Sequence, residues 1–378
     1  MNTPAVEAAP ARAPDQVLTF GVEEEFLVVD PRTGEPSDGG PGVLAGVSAL
    51  DPQQGVHPEL LTAQTEASTG VCGALTQLRG ELRAGRDRMA LAARDEGLAL
   101  ITSGTPPLPG APSPVSPGAR FARIAETYRA VVADYQACGC HVHVGVPDRE
   151  TAVAVINHLH RWLPSLLAMS ANSPFHLGDD TGYASWRMVQ QSRFPGSGIP
   201  PHFASAADHD RQVERLVDCG VLVDGAMSFW LARPSPHLPT VELRVADAAT
   251  TVGEAVLQAA LSRALVRTAL RELSAGREAP RTDERLTQAA VWTAARHGLD
   301  GPGIDLAEPR RAPAAELVHA MVRWASPALE ETRDLAVVRK LLAGLLHCGT
   351  GARRQRAAAA RGALLPALQI RPRWEGTR

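Results

Sequence analysis

Apolar and polar residues alternate with a period of two in several short runs of the N-terminal two thirds of the chain, whereas the C-terminal third carries apolar residues at helical spacing. Strand side chains point to alternate faces and helical ones recur every three to four positions, so the two periods separate strands from helices. Strands are expected over 18–30, 57–69, 98–103, 138–148, 221–233 and 240–247. Helices are expected over 75–96, where Leu75, Leu78, Leu82 and Met89 share a face, and over 120–136, 149–170 and 208–219. Pro164 should kink the third of these or end its first part. Four more helices follow at 252–274, 283–297, 314–324 and 328–347, ahead of a basic tail. Gly/Pro-rich loops are expected at 34–54 and 105–117, and a long polar loop at 173–203.

Three of the strands carry polar pairs at i and i+2. In Gly21-Val22-Glu23-Glu24-Glu25-Phe26-Leu27-Val28-Val29-Asp30, the apolar run favours a strand and Asp30-Pro31-Arg32-Thr33-Gly34 favours a turn. Glu23 and Glu25 share one face, with Glu24 opposite. Adjacent carboxylates repel each other and are costly to desolvate; a divalent cation relieves both, and hard oxygen ligands favour Mg²⁺ or Mn²⁺. A solvated edge strand is the competing reading. In Cys138-Gly139-Cys140-His141-Val142-His143-Val144-Gly145-Val146-Pro147-Asp148, the two histidines share a face, and in Thr240-Val241-Glu242-Leu243-Arg244-Val245-Ala246-Asp247, Glu242 and Arg244 do. Placed in one antiparallel sheet, the three strands would present an apolar face to helices and a face of Glu, His and Arg to a ligand. Carboxylates on such a face hold cations, and arginine grips phosphate oxygens.

Composition narrows the function. The 378 residues carry a net charge of −3, which gives no electrostatic case for nucleic acid or acidic membranes. Lys340 is the single lysine, so no Walker A loop is possible upstream of it, and neither a dinucleotide-binding glycine fingerprint nor a Gly-x-Ser-x-Gly elbow occurs. Five cysteines without zinc-type spacing suggest a reducing compartment. No segment reads as a membrane span, and residues 1–16 read as a flexible Pro/Ala-rich tail rather than a signal peptide, which together predict a cytoplasmic protein.

With these motifs in hand, the chain resembles the carboxylate–amine ligases of the glutamate–cysteine ligase type 2 family, which are related in fold to glutamine synthetase. The resemblance rests on Gly21-Val22-Glu23-Glu24-Glu25-Phe26, on Cys138-Gly139-Cys140-His141-Val142-His143, on Arg193-Phe194-Pro195-Gly196-Ser197-Gly198-Ile199-Pro200-Pro201-His202-Phe203, and on the segment from Arg233 through Glu242-Leu243-Arg244 to Asp247. The four occur in order between about 18 and 252. The resemblance implies an α+β fold with a mostly antiparallel curved sheet, one polar active-site face and helices behind it. A catalytic core over 17–251 would be followed by a helical part over 252–378 packed on that core. It further implies ATP with Mg²⁺ (or Mn²⁺), small-molecule substrates (glutamate as the acid and an amine such as cysteine) and no nucleic-acid or membrane partner; a homo-oligomer is compatible with the chain.

Joining a carboxylate to an amine is uphill unless ATP first makes an acyl phosphate, and the negative charge of that step needs cations and arginine. Glu23, Glu25, Glu66 and Glu242 are the expected metal carboxylates, with Glu59 as an alternative to Glu66, because the second strand's register is open. His141 or His143 adds a ligand or positions phosphate. Arg193, Arg233 and Arg244 are the expected phosphate or substrate-carboxylate ligands. Trp186 and Arg187, in the 173–203 loop, should cover nucleotide or substrate alongside His143 and Arg244. Glu24, facing away, is expected to be structural. A metal-dependent hydrolase built on His141 and His143, a non-catalytic binding module, and a ligase for a different amine are the alternatives.

Overall fold

The computed structural model describes residues 18–51, 53 and 55–371; the expected tail at 1–16 and the last residues of the basic tail lie outside them. Seven strands, β1 (Phe20–Val29), β2 (Gly55–Pro58), β3 (Gln64–Ser68), β4 (Ala99–Ile101), β5 (Gly139–Gly145), β6 (Ala232–Pro234) and β7 (Thr240–Asp247), form one sheet in the order β2-β3-β1-β5-β7-β6. β4 pairs with the end of β1, and every pairing is antiparallel. The longer helices among the described residues are α1 (Gly40–Leu50), α2 (Leu75–Asp95), α3 (Ala119–Tyr128), α4 (Arg149–Leu159), α5 (Leu163–Ser170), α6 (Trp186–Gln191), α7 (Ala206–Asp218), α8 (Val252–Ser274), α9 (Glu284–His297), α10 (Ala314–Glu331), α11 (Leu335–Cys348) and α12 (Gly351–Ala359), with short helical turns at Ala130–Ala133 and Leu364–Leu368.

Alternation decides which face meets the helices. Phe20 and Val22 of β1, Cys140, Val142 and Val144 of β5, and Val241, Leu243 and Val245 of β7 lie in one buried cluster with α2, α4, α5 and α8. Phe26 and Val28 continue the same face of β1 onto Val43 and Val47 of α1 and Met89 of α2. Each fully buried Val or Phe contributes roughly 1.5–3 kcal/mol. Glu24 falls on this apolar face and is paired there by two hydrogen bonds from Arg86 of α2, at 2.6 and 2.9 Å. Arg86 also donates to the carbonyls of Ala249 and Thr250, so the pair ties β1 to the start of α8. Residues from α8, α9, α10 and α11 share the cluster that includes the sheet.

Several expected elements differ in detail. The 34–54 loop contains α1, which opens on a proline in its first turn and buries Val43 and Val47. The 57–69 segment bends into two strands, β2 and β3. The 120–136 helix breaks at Arg129, whose φ is 48°. Between 221 and 233, only β6 is strand, preceded by a 3₁₀ turn at Gly225–Met227. α10 runs through Pro327, where the sequence suggests a break, because Ala325, Ala328 and Leu329 on either side pack in the core. Leu335–Ala359 is long and apolar enough for a membrane span by length and composition, contrary to expectation. It is divided into α11 and α12 around Gly349 (φ 85°), and Val338, Leu342 and Leu345 face the core.

Candidate active site

The opposite face of β1, β3, β5 and β7 is polar, and the ladder registers bring its residues together. Glu25 stands opposite Glu66, Glu23 opposite His141, and His143 opposite Glu242, which in turn stands opposite Arg233. Residues directly opposite each other on one face lie about 4.5–5.5 Å apart at Cβ. His141 bridges the two β1 carboxylates, with Nδ1 3.4 Å from Glu23 and Nε2 3.6 Å from Glu25. His143 Nε2 is 3.2 Å from Glu23, and its Nδ1 is 2.9 Å from Thr240 Oγ1. Glu25 also accepts from the Gly139 amide. Two groups of potential ligand atoms, Glu23/His141/Glu242 and Glu25/Glu66/His141, each lie within 4.8 Å of one another.

Beyond the carboxylates, the face becomes basic. Glu242 accepts from Arg233 through both oxygens, at 2.7 and 3.2 Å, and from Arg244 Nη1. Arg187 of α6 donates to the carbonyl of Arg244 at 3.2 Å. Arg244 Nε and Arg187 Nε and Nη1 are buried without a hydrogen-bond acceptor. A cavity of about 410 Å³ opens between the two halves; its walls include Glu25, Glu59, Tyr135, Arg187, Arg233 and Arg244.

Burial and crowding set the charges. Burial, then the charge of Glu25, pushes Glu59 up to about 8. Burial and the neighbouring carboxylates of Glu59, Glu23 and Glu25 push Glu66 well above the usual range. Burial would also raise Glu23, but hydrogen bonds from His141 and His143 hold it low. Glu242 is likewise pulled well below the usual range, against its burial, by Arg233 and Arg244. Burial and the charge of Arg244 lower His141; His143 rises despite burial because of its hydrogen bond to Glu23.

The structure thus brings together Glu23, Glu25, Glu66, Glu242, His141, His143, Arg187, Arg233 and Arg244. Glu59 and Glu66 are not alternatives: both join the acidic half. Glu242 differs from a free metal carboxylate in having both oxygens engaged by arginine. Arg193 does not line the cavity. Its guanidinium pairs with Asp134 at 2.8 Å and with the carbonyl of Gln190 at 3.2 Å, held there by the C-terminal turn of α6. Trp186 also lies off the cavity, packed between His176 and Tyr183 at ring separations of 6.0 and 5.5 Å. Tyr135, Arg120 and His237 line the cavity without having been expected there, since nothing in their local sequence sets them apart; Gln64, on the strand expected to enter the polar face, lines it too.

Comparison with known proteins agrees with this geometry. The model of the Glutamate-cysteine ligase family 2 (GCS2) matches residues 19–370. A provisionally named glutamate–cysteine ligase 2-2 of Saccharopolyspora erythraea is 56% identical over 363 residues, covering 95% of this chain and 92% of that protein. A relative from Nocardia farcinica, provisionally named glutamate–cysteine ligase 2-1, is 44% identical over 339 residues, 89% of this chain and 88% of that one. In fold, the chain is similar to the glutamate–cysteine ligase of Francisella tularensis crystallised with AMP, with a TM-score of 0.70 at 12% identity, over 93% of this chain and 86% of that one. It is also similar to a bifunctional glutathione synthetase from Pasteurella multocida, with a TM-score of 0.69 at 15% identity, over 94% of this chain and 52% of that one. The α+β sheet backed by helices and the four ordered motifs therefore have one origin: the chain belongs to glutamate–cysteine ligase family 2 and is an ATP-dependent carboxylate–amine ligase.

Proposed function

We propose that the chain phosphorylates the side-chain carboxylate of glutamate with ATP and joins the resulting acyl phosphate to an amine, releasing ADP and phosphate, with Mg²⁺ or Mn²⁺ as the cation. Cysteine is the amine suggested by the names of the relatives. The observation that carries the reading is one cavity whose wall combines the carboxylates of Glu25 and Glu59 with Arg187, Arg233 and Arg244, while Glu66 and His141, outside that lining, lie within ligand distance of Glu25. The acidic half suits hard divalent cations: Glu23, Glu25, Glu59 and Glu66 crowd together, and the buried Nε2 of His141, 3.6 Å from Glu25, has no hydrogen-bond partner. We assign Glu23, Glu25, Glu66 and His141 as cation ligands, with Glu59 beside them and Glu242 at the boundary. Bound there, a divalent cation neutralises charge on the nucleotide's phosphoryl oxygens.

The chain's own contribution is positioning. Arg244, anchored to Glu242 through Nη1 and with Nε lacking an acceptor, offers a guanidinium edge to phosphoryl oxygens, while Arg233, its nitrogens taken by Glu242 and the carbonyls of Ala226 and Ser228, adds charge beside it; such contacts in a partly desolvated cavity are strongest where charge is greatest. Tyr135 and Phe229 line the same cavity and limit water, which would otherwise hydrolyse an acyl phosphate. The test is ADP release from ATP on adding glutamate with a panel of amines, cysteine included. Release that requires glutamate and is stimulated by an amine supports the reading. Turnover of substrate without ATP would instead return the His141/His143 pair to hydrolysis.

A further inference from the structure

Asp247 ends β7, and strict alternation would place it with Val241, Leu243 and Val245 on the core face. A bulge reverses this. His143 pairs with Glu242 and Gly139 pairs with Asp247, so the six residues Glu242–Asp247 of β7 stand against the five residues Gly139–His143 of β5. The extra residue turns Asp247 onto the polar face, as a bulge re-aims a side chain while disrupting the ladder locally. There it is fully buried.

A buried carboxylate needs partners. Asp247 Oδ2 accepts from the Asn172 amide at 2.8 Å and from Ser173 Oγ at 2.7 Å, and Oδ1 accepts from Ser185 Oγ at 2.8 Å. The nearest cation is Arg187, with Nη1 4.0 Å from Oδ1. Both serines connect onward to the same arginine's helix. Ser173 Oγ accepts from the Arg187 amide at 3.0 Å, and Ser185 Oγ accepts from the Met188 amide at 3.3 Å. One carboxylate therefore holds both the first turn of α6 and the charge of Arg187.

Two glycines make room for this assembly. A Cβ on Gly139 would collide with Arg187 Nη2 and lie 2.9 Å from its Cζ and 3.0 Å from His141 Nε2. A Cβ on Gly104 would lie 2.8 Å from Asp247 Cγ and 2.9 Å from Ser173 Oγ. Space is therefore what requires glycine at both positions. The guanidinium rests on the backbone of β5 beside the carboxylate–histidine cluster. It is 2% exposed, and its Nε and Nη1 lack an acceptor at the cavity wall.

We propose that Asp247 is a positioning residue of the ligase reaction, holding Arg187 through Nη1 in the slot over Gly139 so that the guanidinium, whose Nε lacks an acceptor, receives an oxyanion of the reacting centre. The inference rests on the ligase reading above. The oxyanion is the substrate acid's carboxylate or a phosphoryl group of the nucleotide, and the kinetics separate the two.

The test uses the full-length chain with glutamate, ATP and the best amine of the panel. A wild-type chain that releases no ADP with any acid and amine counts against the ligase reading itself. With an active wild type, Asp247→Asn and Gly139→Ala should each lower kcat/KM by at least about tenfold, the scale of a misplaced charge-assisted contact. A raised KM for the acid alone assigns the carboxylate, and a raised KM for ATP alone assigns the phosphoryl group. Guanidinium ion should partly restore turnover to Arg187→Ala but not to Arg187→Ala/Asp247→Asn, a difference that a merely structural aspartate would not produce. If Asp247→Asn does not fold, Ser185→Ala decides, because it removes the hydrogen bond that fixes Asp247 Oδ1 and leaves Arg187, Gly139 and the assigned cation ligands unchanged; it should lower kcat/KM in the same sense, and unchanged kinetics would count against the proposal. Wild-type kinetics in Gly139→Ala, or equal rescue with and without Asp247, would overturn the proposal.

Discussion

Glu25 of β1 and Glu66 of β3 stand directly opposite each other in one antiparallel ladder, two buried carboxylates on the same face. Like charges so placed destabilise a sheet unless something neutralises them. Without divalent cation, Glu66→Gln should therefore melt higher than the wild type, by roughly 1 kcal/mol of stability. With Mg²⁺ its turnover should fall about a hundredfold, or about 2.7 kcal/mol of barrier. Thermal melts with and without Mg²⁺, alongside ADP release, check both halves; a variant that is less stable without metal and fully active with it would remove the cation role.

Arg244 shares the Glu242 carboxylate with Arg233. Arg244→Lys keeps the charge and loses the planar fork. Turnover should drop more than about tenfold, or about 1.4 kcal/mol in barrier. An exposed ion pair would cost less than about 1 kcal/mol of stability on this change. The pair is buried here, so about 1–3 kcal/mol is expected, the scale of an unsatisfied buried partner. Steady-state ADP release and urea melts on the same preparation measure the two effects, and unchanged turnover would reduce Arg244 to a structural partner of Glu242.

On β5, neighbouring residues have opposite fates. Val142 is 0% exposed in the core cluster, while His143 faces Glu23 and Thr240. Val142→Asp buries an unpaired charge and should leave little folded protein. His143→Ala should lose turnover while its melting temperature moves by only a few degrees, about what 1 kcal/mol produces. Circular dichroism melts with parallel assays distinguish the two, and an unstable but active His143→Ala would make that histidine structural.

The strands that build the site were legible in the sequence because their alternation is strict. Glu23 and Glu25, His141 and His143, and Val142 and Val144 lie on the faces their spacing predicts, and Glu24 is the structural outlier expected of its orientation. The 252–274 helix is found at those bounds as α8, with its Thr251/Glu254 capping box. Other features depend on tertiary context. α1 is hidden by its glycines and proline until Val43 and Val47 find a core. Arg193 and Trp186 carry suitable chemistry near the right motif, yet their directions are set by Asp134, remote in sequence from Arg193, and by the rings of His176 and Tyr183, whose packing on Trp186 no periodicity announces. The β7 bulge has no signature in composition, so alternation alone sends Asp247 to the wrong face.

His160, buried where α4 ends, gives the fold an acid limit unconnected with the active site. Burial, with the charge of His202 added, lowers it from 6.5 to about 3. The unfolded chain then binds a proton below about pH 6.5 that the folded chain refuses until about pH 3, so stability is full above that window and falls through it as pH drops. The slope is at most about 1.4 kcal/mol per pH unit. Urea midpoints at pH 7 and pH 5 should differ less for His160→Gln than for the wild type; an identical difference would assign the acid sensitivity to other groups.

Acyl transfer through a phosphorylated carboxylate leaves an isotopic trace. Glutamate labelled with heavy oxygen in its side-chain carboxylate is incubated with ATP, Mg²⁺ and the accepting amine, and the released phosphate is analysed by mass spectrometry. An acyl phosphate requires one labelled oxygen to leave with each phosphate, in step with amide formed, and Glu66→Gln should slow both together. Phosphate that carries no label while amide accumulates would contradict activation of the acid by phosphoryl transfer at this cavity.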